Sequence, residues 1–213
     1  LRVLPVGSAL GSGNGPLLLA RKGSPGLGPN QHLLAPGENT TATLLLRLFH
    51  GEALEHMRME QVLFSHIAPA LIAEKCDLGL CIHEGRFTFT EQGLICLEDL
   101  GQRWESETGE LLPLGGLFAQ RNLGDPILQA LTQALVASLD YGRAHPQEAL
   151  GTMQRHAQEL SDEVLWQHVD LYVNQWTRNL GQEGLAAVKT LGTRARLAGL
   201  MAGDSTLEVW RPL

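Results

Sequence analysis

The stretch Leu78-Gly79-Leu80-Cys81-Ile82-His83-Glu84-Gly85-Arg86-Phe87-Thr88 decides how this chain is read. An apolar run of strand length ends abruptly in an ionisable pair, and a glycine follows. In an open α/β sheet, ligand crevices form beyond the carboxyl ends of the strands. A histidine placed there exchanges a proton near neutral pH, since its unperturbed pKa is about 6.5. His83 is therefore the foremost candidate for a general base, set against the commoner alternative of a satisfied structural His-Glu pair.

Short apolar runs punctuated by Gly and Pro recur on both sides of this stretch. Residues 17–20 (Leu-Leu-Leu-Ala), Leu33-Leu34-Ala35, Met59 to Leu63 and Leu94 to Leu97 read as strands. Asn39 or Thr40 is placed to cap a helix running through Leu44, Leu45, Leu46, Leu48 and Phe49. Residues 66–75 predict a helix with Ile67, Leu71 and Ile72 on one face. Thr88 to Asp99 reads as a hairpin or loop, Trp104 to Leu112 as a loop or short helix, and Leu117 to Gln120 as a strand. Strands alternating with helices predict the α/β class.

From Asp125 onward, helix follows helix. Asp125-Pro126 is the expected N-cap and N1 pair, and Ile127, Leu131, Leu135 and Leu139 form the expected apolar stripe. Further helices are predicted over 146–158, from Ser161, and from about Gln182 to Leu200. Gly23 to Pro29, rich in Gly and Pro, reads as a crossing between lobes.

The net charge of −7 and the scatter of the sixteen Lys and Arg argue against a nucleic-acid partner. The three cysteines, Cys76, Cys81 and Cys96, have no C-x-x-C spacing. They fit neither a disulfide framework nor a zinc site, and predict reduced thiols in a cytoplasmic protein. No apolar run approaches the roughly 20 residues of a membrane span. The chain opens without Met or a signal-peptide pattern and reads as the middle of a domain.

Three constellations carry possible chemistry. Gly11-Ser12-Gly13-Asn14-Gly15-Pro16 fails both nucleotide patterns, because Pro16 and an apolar strand follow where a helix is needed. It remains a tight turn or a backbone loop able to approach a ligand. Pro36-Gly37-Glu38-Asn39-Thr40-Thr41-Ala42-Thr43 places N–H groups and hydroxyls at a helix N-terminus, suited to an anion or to simple capping. His83-Glu84-Gly85-Arg86 is not the metalloprotease H-E-x-x-H, since position 87 is Phe, and no second histidine stands at metal-ligand spacing. Glu84 is placed to orient His83 or to pair with Arg86. His145 reads as a helix-end residue, His156 and His168 as exposed positions on amphipathic helices, and the four tryptophans as packing residues.

These constellations, in this order, resemble the 1,4-dihydroxy-6-naphthoate synthases of the futalosine route to menaquinone. The resemblance continues through Leu112-Pro113-Leu114-Gly115, His145-Pro146-Gln147-Glu148-Ala149 and Ser161-Asp162-Glu163-Val164, to about residue 200. It implies a periplasmic-binding-protein-like (type II) fold of two α/β lobes around a cleft, with residues 23–112 as one lobe. Residues 1–22 and 113–213 would form the other, with crossings near Arg21–Pro25 and Leu112–Phe118. It further implies a cytoplasmic lyase acting on a small-molecule carboxylate, cyclic dehypoxanthine futalosine, with no metal or redox cofactor. His83 is then the catalytic base, and Thr41 and Ala42 hold the anionic group of the substrate.

The family's opening strand, with its Ser-Pro-Cys-Pro-Asn-Asp-Thr-Phe-like loop, and a later lysine-containing loop have no counterpart here. The expectation is an N-terminally truncated member with an incomplete first lobe, poorly soluble or inactive on its own. Two other classes remain open: a non-catalytic solute-binding protein for an organic anion, and the related enzyme that dehydrates chorismate. The oligomeric state is left open.

Overall fold

A computed structural model of the chain describes residues 1–82, 85–157, 161–201 and 208–211. His83 and Glu84 lie outside the described residues. The chain groups into two units, Ser12–Leu112 with Thr193–Gly203, and Leu1–Gly11 with Pro113–Gly192 and Asp204–Leu213.

Two short strands, β1 (Arg2–Val3) and β2 (Ala9–Gly11), open the chain. Next come β3 (Leu17–Arg21), β4 (His32–Ala35), α1 (Thr41–Leu54), β5 (Arg58–Gln61), α2 (Ile67–Ile72), β6 (Leu78–Cys81), α3 (Gly85–Thr88), β7 (Leu94–Asp99) and α4 (Leu100–Thr108). The five strands from β3 to β7 form one sheet in the order β5-β4-β6-β3-β7. β4 runs parallel to β5 and β6, whereas β3 runs antiparallel to both β6 and β7.

The apolar runs are short and continuous because both faces of this sheet are covered. Leu17, Leu19 and Leu34 pack on one face with Ile67 and Leu71 of α2. Strand alternation sends Leu18, Ala20, Leu33 and Ala35 to the other face, where all are fully buried. Burying each of these leucines contributes about 1.5–3 kcal/mol. Gly79 has no side chain because α2 lies too close: a Cβ there would stand 2.5 Å from Ile67 Cγ2. Ile72, expected on the buried face, is instead 50% exposed, because Ile67 and Leu71 alone complete the i, i+4 contact with the sheet.

β3 is integral to this sheet, pairing along its length with β6 and β7. The sequence boundary at residue 22 separates it from residues 23–112, whereas its hydrogen-bonded partners lie at 78–81 and 94–99. A local apolar pattern identifies a strand but not its pairing partner. Just before β3, the backbone crosses that of the α4 N-terminus so closely that a Cβ on Gly15 would stand 2.4 Å from Gly101 Cα. Gly15→Ala is accordingly expected to cost about 1–3 kcal/mol of stability. The check is a urea midpoint, which should fall at an unchanged m value; a wild-type midpoint would contradict the tight crossing.

The other unit is built on shorter strands and longer helices. β8 (Leu112–Gly115) pairs with β2, and β9 (Phe118–Ala119) pairs antiparallel with β1. Helices α5 (Asp125–Ala144), α6 (Pro146–His156), α7 (Asp162–Tyr172), α8 (Gln175–Arg178) and α9 (Gly181–Leu197) follow, the residues of α9 from Thr193 onward grouping with the first unit. The last described strand, β10 (Glu208–Val209), runs parallel to β1. Leu4, Val6, Ala119, Leu128 and Trp210 form a small core, with Leu135 and Val136 packed against it.

Two sequence expectations for α5 are corrected. Its N-cap is Gly124 rather than Asp125, which stands in the first turn and accepts a hydrogen bond from Trp210 Nε1 at 3.0 Å. Its buried stripe passes through Leu128, Leu135 and Val136, leaving Ile127 56% and Leu131 39% exposed. The expected stripe meets this core at Leu135, while Leu128 and Val136 rather than Ile127 and Leu131 complete the covered face. Ser161 does cap α7, accepting from Val164 N at 3.3 Å.

Candidate functional site

The strand directions of the five-stranded sheet bring the described parts of the three sequence constellations to one edge. β4 and β6 are parallel neighbours, with Leu33 opposite Leu78 and Leu34 opposite Gly79, so their carboxyl ends lie side by side. Pro36 to Thr43 continues from the first and Ile82 from the second. β3 is antiparallel to β6 with Leu17 opposite Cys81, so the Gly11–Pro16 loop enters at the same edge. Leu17 is also opposite Asp99, which places the end of β7 and the start of α4 there as well.

At the first of these ends, Thr40 is the N-cap of α1. Its hydroxyl accepts from Thr43 N at 3.2 Å and donates to Gly37 O at 2.8 Å, while Thr43 Oγ1 donates to the same carbonyl at 2.7 Å. The cap thus uses Thr40 and Thr43 on its own backbone. Thr41 and Ala42 occupy the first turn, where helix geometry provides N–H groups with no intrahelical acceptor and a positive dipole end. Thr41 is half-buried and Ala42 is buried. Of the two capping candidates, the structure selects Thr40 over Asn39.

Arg86, the first residue after Gly85 in α3, ties two of the other segments together. Its Nη1 donates to Gly15 O at 2.9 Å, and its Nη2 to Gly13 O at 3.2 Å and to Asp99 Oδ2 at 2.6 Å. Both side chains of the ion pair are largely buried, at 19% and 16% exposure. The second oxygen of Asp99 caps α4, accepting from Gly101 N and Gln102 N at 3.0 Å each. Gly13 N donates to Glu105 Oε1 at 2.5 Å, closing the loop onto α4. Asn14 is buried within the loop; its Nδ2 donates to Ser12 O at 3.2 Å, while its Oδ1 has no hydrogen-bond partner among the described residues.

Sequence reasoning proposed a turn or a ligand-approaching loop for Gly11–Pro16 and did not find Asp99 as the partner of Arg86. The signal available was Asp99-Leu100-Gly101-Gln102, an Asp immediately before a helix. A second missed cluster joins α1 to β7. His50 Nε2 lies 2.6 Å from Glu98 Oε2, whose other oxygen accepts from Arg103 Nη1 at 3.0 Å. α1 is kinked at His50, with φ −132° and ψ 22°. Arg103 and Arg194 also bond Glu107, and these side-chain hydrogen bonds hold its carboxyl below the ordinary range.

Cys76 and Cys96 offer no activated thiol. Burial pushes Cys76 up to about 11. Cys96, two residues before Glu98, is also raised, by burial first and then by the Asp99 carboxylate. Among the described residues, no group of three or more His, Cys, Asp and Glu is placed to hold a metal ion. Among them, no helix is long and apolar enough to cross a membrane.

The fold is α/β of the periplasmic-binding-protein type. The periplasmic aliphatic sulphonate-binding protein SsuA of Escherichia coli is similar in fold alone, with a TM-score of 0.60 at 12% identity over 98% of this chain and 70% of that one. The crystal structure of protein AF1704 from Archaeoglobus fulgidus gives a TM-score of 0.85 at 32% identity, covering 94% of this chain and 74% of that one. A 1,4-dihydroxy-6-naphthoate synthase of Thermus thermophilus is 43% identical over 201 residues, which span 92% of this chain and 70% of that protein. A family model described as menaquinone biosynthesis matches residues 1–197. The chain belongs to this menaquinone biosynthesis family, whose named relatives are enzymes acting on a small-molecule substrate.

Proposed function

We propose that this protein is a lyase forming 1,4-dihydroxy-6-naphthoate from cyclic dehypoxanthine futalosine, with His83 as general base. The observation that supports the reading is the strand pairing: the parallel β4–β6 register sets the carboxyl ends of these strands side by side, with the Pro36–Thr43 segment following one and Ile82 following the other. That edge is where α/β sheets hold ligands. The substrate carboxylate sits on the Thr41 hydroxyl and the Ala42 N–H, where the α1 dipole favours negative charge. His83 removes a proton from the bound substrate, and bond cleavage releases the aromatic naphthoate and a small sugar-derived fragment. Aromatisation supplies driving force, so the protein contributes position and a base in its neutral form.

The test of the anion site is equilibrium binding of the product and of 1,4-dihydroxynaphthalene, which lacks the carboxylate. Thr41→Val removes one hydroxyl donor to a charged group, a loss of about 1.5–3 kcal/mol, so naphthoate affinity should fall about 10–150-fold. Affinity for the carboxylate-free analogue should not change. Equal losses for both compounds, or no loss for either, would contradict a carboxylate held at Thr41.

A further inference from the structure

We propose that the second unit carries a binding site of its own, for an apolar monocarboxylate. A pocket of about 500 Å³ is walled by Pro5, Val6, Val136, Leu180, Leu185 and Trp210. All of its lining residues belong to Leu1–Gly11, Pro113–Gly192 and Asp204–Leu213, whereas Thr41 and Ala42 belong to the other unit. Pockets of roughly 300–1,000 Å³ with apolar walls and a few polar groups are the usual form of a small-ligand site.

The walls are fixed by bonds that leave the pocket itself free. Leu180 N, at the entry to α9, donates to Pro5 O at 2.8 Å, and Trp210 N donates to Val3 O at 2.9 Å. The Trp210 indole is held through Nε1 on Asp125 Oδ1. A ligand therefore meets a formed surface and has little of it to order.

The charges lining the pocket choose the ligand. Arg178 is answered already, since its Nε and Nη2 donate to the two oxygens of Asp140 at 2.9 and 3.0 Å. Arg211 lines the same pocket, is exposed, and its guanidinium has no hydrogen-bond or ion-pair partner among the described residues. Gly181 and Gln182 of the first α9 turn also line it, at the helix end whose dipole favours negative charge. Glu183, the acid of that turn, is engaged by Trp176 Nε1 at 3.1 Å. The pocket thus pairs an apolar body with one uncompensated cation. A neutral ligand leaves that cation unused, a cationic one is repelled by it, and a polyanion finds too few partners.

The experiment is calorimetric binding of 4-phenylbutyrate and of its neutral amide to the full-length protein, with 5-fluorotryptophan labelling to locate them. The acid should bind saturably and move the Trp210 fluorine resonance, assigned with Trp210→Phe, while that of Trp104 stays in place. Arg211→Gln should weaken the acid about fivefold, the usual worth of a solvent-exposed ion pair, and by less as salt rises. The amide should bind that variant and the wild type alike. Leu185→Trp fills the pocket and should remove saturable binding of both compounds. Thr41→Val should leave the affinity of the acid unchanged.

No saturable binding up to the solubility limit of phenylbutyrate would overturn the proposal, as would binding that leaves the Trp210 resonance unmoved. Equal changes for acid and amide in Arg211→Gln would contradict a carboxylate held there. A loss confined to Thr41→Val would place the acid in the other unit and overturn the proposal as well. Arg211 is exposed, so its substitution decides the matter even if Leu185→Trp does not fold.

Discussion

Replacing His83 with asparagine is expected to lower the single-turnover rate by about 10²–10⁴-fold, the usual contribution of a positioned acid–base group. Substrate affinity should stay within about tenfold, because the proposed site holds the carboxylate at Thr41 and Ala42 rather than at His83 and a base acts mainly in the transition state. The wild-type rate should fall as acid protonates the imidazole, since the protonated ring has no lone pair to accept the proton. The asparagine variant should lose that acid limb. Rapid-quench kinetics together with direct binding separate the two effects. Near-normal turnover in the variant would place the base elsewhere.

The second large effect is on stability. Trp104 is fully buried, and its Nε1 donates to Leu111 O at 3.0 Å. It stands in the middle of α4, with the Arg194 guanidinium 5.7 Å from its ring centroid. Trp104→Ala removes this apolar volume, leaves a cavity and takes the donor from a backbone carbonyl. Substitutions of this kind cost about 3–5 kcal/mol, a large share of the 5–15 kcal/mol that usually holds a domain folded. Denaturant unfolding should show the loss directly, and a change below about 1 kcal/mol would mean that α4 is not a supporting wall of the sheet.

Much of this architecture is legible in the sequence because its signals are local. Leu17 to Ala20, Leu33 to Ala35 and Leu78 to Cys81 are short apolar runs flanked by Gly, Pro or charge, and each is a strand. Pro36-Gly37 followed by threonines announces the start of α1, and Thr40 is its cap. What is not legible depends on partners distant in sequence. Leu17-Leu18-Leu19-Ala20 cannot reveal that β3 runs antiparallel between two strands about sixty and eighty residues away. The stripe of α5 is only partly legible, with Leu135 on the covered face and Ile127 and Leu131 off it, because most of the residues that choose this face lie near both chain ends.

The candidate site divides in the same way. His83 stands out by residue type and by its place after an apolar run, whereas Thr41 and Ala42 are singled out by the family resemblance. Asp99 does not, since an Asp before a helix looks like a cap, and here it is a cap that also holds Arg86. Two roles for one carboxylate are visible only once β7 and α3 are brought to the same edge. His50 beside Glu98 is hidden for a related reason: its partner is 48 residues away, and nothing local distinguishes it from an exposed helix histidine.

The central claim is that the edge shared by β4, β6 and β3 performs a lyase reaction rather than simple capture of an anion. The most direct test incubates the full-length protein with cyclic dehypoxanthine futalosine and follows 1,4-dihydroxy-6-naphthoate by mass spectrometry. The predicted result is stoichiometric appearance of the naphthoate with loss of the substrate, abolished by His83→Asn. Substrate that binds saturably and is recovered intact would contradict it.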